Sequence, residues 1–153
     1  MNPKCCKQMS KENNLQRFID AQKNDFDTAL REIKQGRKQS HWMWYIFPQI
    51  KGLGLSSTAQ FYGIHSLEEA EAYLQHPVLG TRLLSISNEL LKLESSNATQ
   101  IFGSPDDLKL RSSMTLFATV SGADLVFELV LDKFFNGEKD SRTMDLLYSK
   151  GDF

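Results

Sequence analysis

The chain is poor in the features that usually announce a function. It has only two cysteines, Cys5 and Cys6, and they are adjacent. Neighbouring cysteines pair only through a strained ring, so no disulfide framework is available. Neither sign of charge dominates: 18 basic residues face 19 acidic ones, for a net charge of −1. A general nucleic-acid binder normally carries a basic excess, so direct nucleic-acid binding ranks low. The longest unbroken apolar run is Trp42 to Phe47, far short of the ~20 residues of a membrane-spanning helix. No apolar stretch follows Met1 as in a secretory signal, so the expected setting is cytoplasmic, with no membrane partner. There is no P-loop, no G-x-G-x-x-G, no G-x-S-x-G and no H-E-x-x-H. His41, His65 and His76 include no i, i+4 pair and have no nearby cysteine, so no metal is expected. The sequence names no cofactor and no reaction.

What remains fits an ordinary folded domain. Apolar residues make up 41% and charged residues 24% of the 153 positions, which excludes wholesale disorder, collagen and coiled coil. A chain of this length buries about two thirds of its surface on folding, enough for a core without staples. Residues 1–13 are polar and aperiodic and are expected to form a disordered tail, with one domain over 14–150. Leu15, Phe18, Ile19, Phe26, Ala29, Leu30 and Ile33 fall within about 120° on a helical wheel. Gly36 stands where the C-terminal cap of that helix belongs. Gln22 interrupts the stripe, either reaching a backbone group or water at its boundary or pointing inward at a ligand.

The segment 40–54, SHWMWYIFPQIKGLG, follows neither a period of two nor one of 3.6. A short helix is expected over 57–64, ending near Gly63. Ser66 with Glu69 is a capping box for the next helix, and His76-Pro77 ends that helix and begins another. Leu79, Leu83, Ile86, Leu90 and Leu93 share one face of the latter, with Arg82 at its edge. Glu94 to Gln100 reads as a polar loop. Ser104-Pro105-Asp106-Asp107 predicts a helix start, with Ser104 as cap and proline in the first turn. No charge occurs from Ser112 to Ala123, so this helix is expected to be central and buried on both sides. Further helices are expected over about 123–135 and from Ser141. There is no internal repeat, hairpin signature or linker. The expected fold is a compact, all-α, single-domain bundle of six or more helices, with its central helix near 105–119.

Two stretches could carry chemistry. Segment 31–51 holds Arg31, Lys34, Arg37, Lys38 and Lys51 against the single acid Glu32, beside a dense run of rings. Basic groups beside aromatic faces can hold a nucleotide base, although a solvated helix end followed by a buried aromatic wedge gives the same pattern. Buried Trp42 or Trp44 each requires a partner for its N–H, and the hydroxyls of Ser112, Ser113 and Thr115 are the expected ones. In the second stretch, DDLKLRSS, Asp107 and Arg111 stand at i, i+4 and Asp106 and Lys109 at i, i+3. Surface ion pairs explain both; the rival reading uses Lys109 or Arg111 as an anion clamp. The catalytic candidates are His41 and His76 as acid or base and Ser112 and Ser113 as nucleophiles, with no base identifiable from spacing.

The segments RFIDAQ (17–22), GRKQSHWMWYIFPQIKGLG (36–54), YGIHSLEEAEAYLQHPVLGTRL (62–83) and IFGSPDDLKLRSSMTLF (101–117) resemble the domain-of-unknown-function family 1810. The resemblance runs from about Leu15 to Leu147 and implies a compact, mainly helical domain and no known reaction. Some members are labelled calpastatin, a protease-inhibitor name. That label fits poorly, because such inhibitors are disordered and repetitive.

The functional expectation is a small-molecule binding domain or enzyme with an anionic, nucleotide-like ligand. Its pocket would lie between the 40–50 aromatic segment and the 104–115 helix. The expected ligand-binding residues are Gln22, His41, Trp44, Gln49, Tyr62, Arg82, Lys109, Arg111 and Ser112. The alternative is a protein-interaction module that uses the aromatic segment as its partner-binding patch. A concave site built from distant segments favours the first reading, and a flat aromatic patch favours the second.

Overall fold

The computed structural model describes the backbone of residues 3–151 and the side chains of residues 15–148. Cys5 and Cys6, and the packing of the 1–13 tail, lie outside the side chains described. Among the described residues there are nine helices: α1 Pro3–Lys34, α2 Met43–Ile46, α3 Ser57–Tyr62, α4 Leu67–Gln75, α5 Leu79–Lys92, α6 Ala98–Phe102, α7 Asp106–Ala118, α8 Val126–Phe135 and α9 Ser141–Gly151. No strand occurs among them. One isolated parallel bridge joins Ile50 to Ile64. The domain is all-α, as its periodicity implies.

The apolar stripe of α1 does what its spacing predicts. Leu15, Phe18, Ala29 and Ile33 are buried, and Ile19, Phe26 and Leu30 pack at the core's edge. Gly36, at φ 80°, ends the helix: its N–H donates to Ile33 O, and the Arg37 N–H reaches back to Glu32 O. That pairing is the double bond of a Schellman cap. The Ser66 side chain caps α4 through the Glu69 N–H. The α4–α5 corner is tight because residue 80 is glycine; a Cβ there would stand 2.0 Å from Leu74 O.

Helix α7 occupies the middle. It packs against α4, α6, α8 and α9, and Ser112 to Phe117 are all buried. A run of six buried residues covers every side of a helix, which explains why the stretch carries no charge. Helix α5 is the second hub and touches α1, α4 and α8.

Three local expectations are corrected. The helix near 105 begins at Asp106, with Pro105 rather than Ser104 in the cap position. Its first-turn N–H groups are met without a serine hydroxyl: Asp107 N–H bonds Gly103 O, and Leu108 and Lys109 N–H bond Pro105 O. The polar stretch 94–100 is not all loop. The Asn97 side chain accepts from the Gln100 N–H and starts α6, which buries Ala98, Ile101 and Phe102. The helix expected from 123 starts at Val126, whose N–H is taken by the Asp124 carboxylate.

Candidate functional site

The 40–54 segment splits its rings between two environments. Trp42 is 1% exposed and packs against Phe47 and Phe102. Its indole N–H donates to Glu32 Oε1 at 2.9 Å, not to a hydroxyl of α7. The correction has a simple cause. Glu32 sits in the last turn of α1, beyond which the chain reverses and brings 39–42 back over it. Glu32 Oε1 also accepts from the backbone N–H of Gln39 (2.8 Å) and of Ser40 (3.0 Å), and Oε2 accepts from the Ser40 hydroxyl at 2.6 Å. Burial alone would raise its pKa. The four hydrogen bonds, led by Ser40, overcome that and hold it at about 2. This carboxylate is fully engaged and has nothing left for a ligand.

Trp44 is half-buried and turns to a different neighbourhood. The Lys109 ammonium lies 4.9 Å from the centre of its ring and also pairs with Asp106 at 3.2 Å. Asp106 pairs with Lys38 at 2.8 Å as well. Burial opposes ionisation of Asp106, but these two ammonium groups outweigh it and keep its carboxyl below the ordinary range. Trp44 and Lys109 form one side of a cleft of about 560 Å³ between the segment 44–59 and α7, closed by the start of α9. Gln49, Arg111, Ser112, Asp140 and Arg142 supply its other polar groups, and Leu53, Leu55, Ala59 and Leu108 its apolar ones. The volume lies within the ordinary range for small-molecule sites.

The floor is a polar knot between α7 and α9. The Asp140 carboxylate caps α9 by accepting from the Thr143 N–H, and it also accepts from the Thr143 and Ser112 hydroxyls. Its backbone N–H donates to Thr115 Oγ1 at 2.9 Å. Arg111 stands beside it, but its Nη2 is 3.7 Å from Asp140 Oδ1, beyond hydrogen-bond distance. The Nε–H of Arg111 is buried without a partner. Among the described residues the Arg111 side chain makes no hydrogen bond at all. The i, i+4 pairing with Asp107 does not form, because Asp107 accepts from the Thr99 hydroxyl at 2.6 Å instead. Lys109, Arg111 and Arg142 thus share the cleft lining with one carboxylate, Asp140, while Asp106, outside the lining, pairs with Lys109, in a chain whose net charge is −1.

The expected site residues thus separate. Trp44, Gln49, Lys109, Arg111 and Ser112 meet in this cleft. Gln22, Arg82 and Tyr62 belong to another region, behind α2. Gln22 is 1% exposed; its amide donates to Tyr45 O (2.7 Å) and to the Tyr73 hydroxyl (2.9 Å) and accepts from Arg82 at 3.3 Å. Arg82 rests on the Phe26 ring. Tyr62 packs on Tyr45, whose hydroxyl donates to Asp25 at 2.5 Å. Burial, and then Asp25, push the Tyr45 hydroxyl above its usual range. Gln22 ties helices together and does not face the cleft.

His41 is exposed and outside the cleft lining. His76 is a helix cap: its Nδ1 accepts from the N–H groups of Val78 and Leu79. Ser113 is fully buried, its hydroxyl unbonded. Ser112 lines the cleft, but its hydroxyl serves Leu108 O and Asp140, and no imidazole lies in the lining. Asp140 and Arg142 escape the sequence reading. Asp140 carries one usable signal, an acidic side chain three residues before a threonine at a helix start. Elsewhere, a hollow of about 350 Å³ beside α4 is lined by Glu68, Glu69 and Glu71. Glu69 is already taken by Arg17 at 3.2 Å and by the His65 N–H.

Fold and site together define a small all-α domain with a cationic cleft between its aromatic segment and its central helix. The chain belongs to the family described as Protein of unknown function (DUF1810), whose model matches residues 12–147. It is also similar to a solved structure, the conserved hypothetical protein Rv1873 from Mycobacterium tuberculosis. The two are 47% identical, with a TM-score of 0.86, over 88% of this chain and 96% of that one. No curated protein matches the chain. No helix among the described residues is long and apolar enough to cross a membrane.

Proposed function

We propose that the cleft between segment 44–59 and α7 binds a small anionic molecule. The observation that carries this reading is the Arg111 guanidinium. It is mostly sequestered, its side chain 29% exposed, yet among the described residues no acceptor stands within hydrogen-bond distance of it. A guanidinium offers five donors in a planar fork, and leaving its buried Nε–H unmet is costly unless something else meets it. Lys109 and Arg142 add positive charge on either side. The local field favours anions, and a carboxylate or phosphate would engage Arg111 in two parallel bonds. Ser112 and Asp140 position this floor and are assigned no catalytic step.

Calorimetric titration of the full chain with inorganic phosphate, sulfate and nucleotides tests the proposal. Saturable binding is expected, and Arg111→Ala should weaken it by about 1.5–3 kcal/mol, the scale of a lost charged hydrogen bond. A chain that binds none of these anions would contradict the reading.

A second reading, a protein-docking patch, is favoured by Leu55 and Leu108 on the rim, 85% and 50% exposed. If these two residues instead seat a protein, replacing both with alanine should weaken that partner and leave anion affinity unchanged.

A further inference from the structure

The cleft is not uniformly cationic, and its unevenness narrows the ligand. We infer that the anion it takes is a phosphomonoester carried on a planar ring, the class of a nucleoside monophosphate; this rests on the anion-binding reading above. The first ground is charge. Arg111, Arg142 and Lys109, which shares Asp106 with Lys38, line the cleft against the one lining carboxylate Asp140, and this positive excess suits a phosphomonoester, which carries about −1.5 to −2 at neutral pH. The second ground is the distribution of polarity. Arg111, Ser112 and Asp140 form one contiguous polar floor. The lining also holds Trp44, over whose ring the Lys109 ammonium lies at 4.9 Å, together with Leu53, Leu55 and Ala59, an apolar surface that suits a base and is wasted on a bare anion. Stacking of a base on an aromatic side chain is worth tenfold or more in affinity.

The third ground is Gln49. Gln49 lines the cleft, and its half-buried side chain makes no hydrogen bond among the described residues. An amide presents a donor and an acceptor side by side, the pattern that reads the edge of a base. One cleft therefore has on its floor a guanidinium whose Nε–H is buried and unmet, with Gln49 and Trp44 in its lining. The cleft volume of about 560 Å³ leaves room for a ligand spanning these groups.

The test is calorimetry on the full chain with inorganic phosphate, adenosine and the four nucleoside 5′-monophosphates. At least one monophosphate should bind tenfold or more tighter than inorganic phosphate. Trp44→Leu should abolish that advantage while phosphate still binds saturably, whereas Arg111→Ala should weaken phosphate and nucleotide alike by tenfold or more. Leu55→Glu, at an exposed rim position, keeps the test available if Trp44→Leu fails to fold; it should lower nucleotide affinity at least fivefold. If phosphate binds through Arg111 but no monophosphate exceeds it tenfold, this inference is overturned and the anion-binding reading stands. If neither phosphate nor any nucleotide binds, both fall. Adenosine binding as tightly as its monophosphate would also overturn it.

Discussion

Trp42 and Trp44 are two residues apart in the chain and sit in opposite kinds of environment. Around Trp42 every strong polar group has a partner: four hydrogen bonds converge on Glu32, and the indole N–H is one of the donors. Around Trp44 the arrangement is left open. Lys109 covers its ring, and two residues along α7 the Arg111 guanidinium has no hydrogen bond among the described residues. The first region is built to hold the fold, because a buried carboxylate is tolerated only when it is bonded on all sides. The second gives the fold little, since a loose pair at 3.7 Å in a partly exposed place stabilises weakly. The contrast separates polar groups that the fold fully pairs from polar groups that it leaves loosely paired.

The largest effect should come from breaking the closed region. Glu32→Ala strips partners from the Trp42 indole, the Ser40 hydroxyl and two backbone N–H groups. We expect a loss of about 3–4 kcal/mol in urea unfolding, the upper end for a single substitution. Acid should reach the same region without mutation. Glu32 has its pKa lowered from the ordinary 4.5 to about 2 in the fold. Its contribution is therefore complete above pH 4.5 and is lost as the pH falls towards 2, to the extent of about 3 kcal/mol. Unfolding curves collected across that window should show the loss in the native chain and not in Glu32→Ala.

Next in size is Gln22→Leu. It leaves the buried Tyr73 hydroxyl and Tyr45 O without their amide donor and frees Arg82, so about 1–3 kcal/mol should be lost. Anion binding in the cleft should not change, because Gln22 does not line it. The smallest effect on stability belongs to Arg111→Ala. With no hydrogen bond to lose, it should cost under about 1 kcal/mol in thermal unfolding. A larger loss would place Arg111 with the structural residues and dissolve the contrast.

Much of the fold was legible because it rests on local rules. The α1 stripe, the Gly36 cap, the Ser66 cap and the uncharged middle of α7 are each readable within a few turns of chain. The polar partnerships were less legible, because they form between distant segments. Glu32 looks like a solvated acid among basic residues until the chain reverses at Gly36 and lays 39–42 over it. Arg111 has a ready partner at i−4 in Asp107, yet Thr99 claims that carboxylate, and the acid beside Arg111 comes from 29 positions further on. The candidate site divided for the same reason. By sequence, Gln22, Arg82 and Tyr62 are expected in one pocket with Trp44, but α2 turns its two faces to different neighbours. Gln22 and Tyr62 met the Tyr45 side, and only Trp44 met α7.

The most direct test uses the two indoles themselves. In a ¹H–¹⁵N spectrum the side-chain N–H groups of Trp42 and Trp44 give one resonance each, assignable with Trp44→Leu. Titration with inorganic phosphate at neutral pH should move the Trp44 resonance along a saturable curve and leave Trp42 in place. Titration with acid should move Trp42 as Glu32 takes up its proton near pH 2. A Trp42 resonance that follows phosphate, or a Trp44 resonance that ignores it, would contradict the division between a closed structural centre and an open anion-binding cleft.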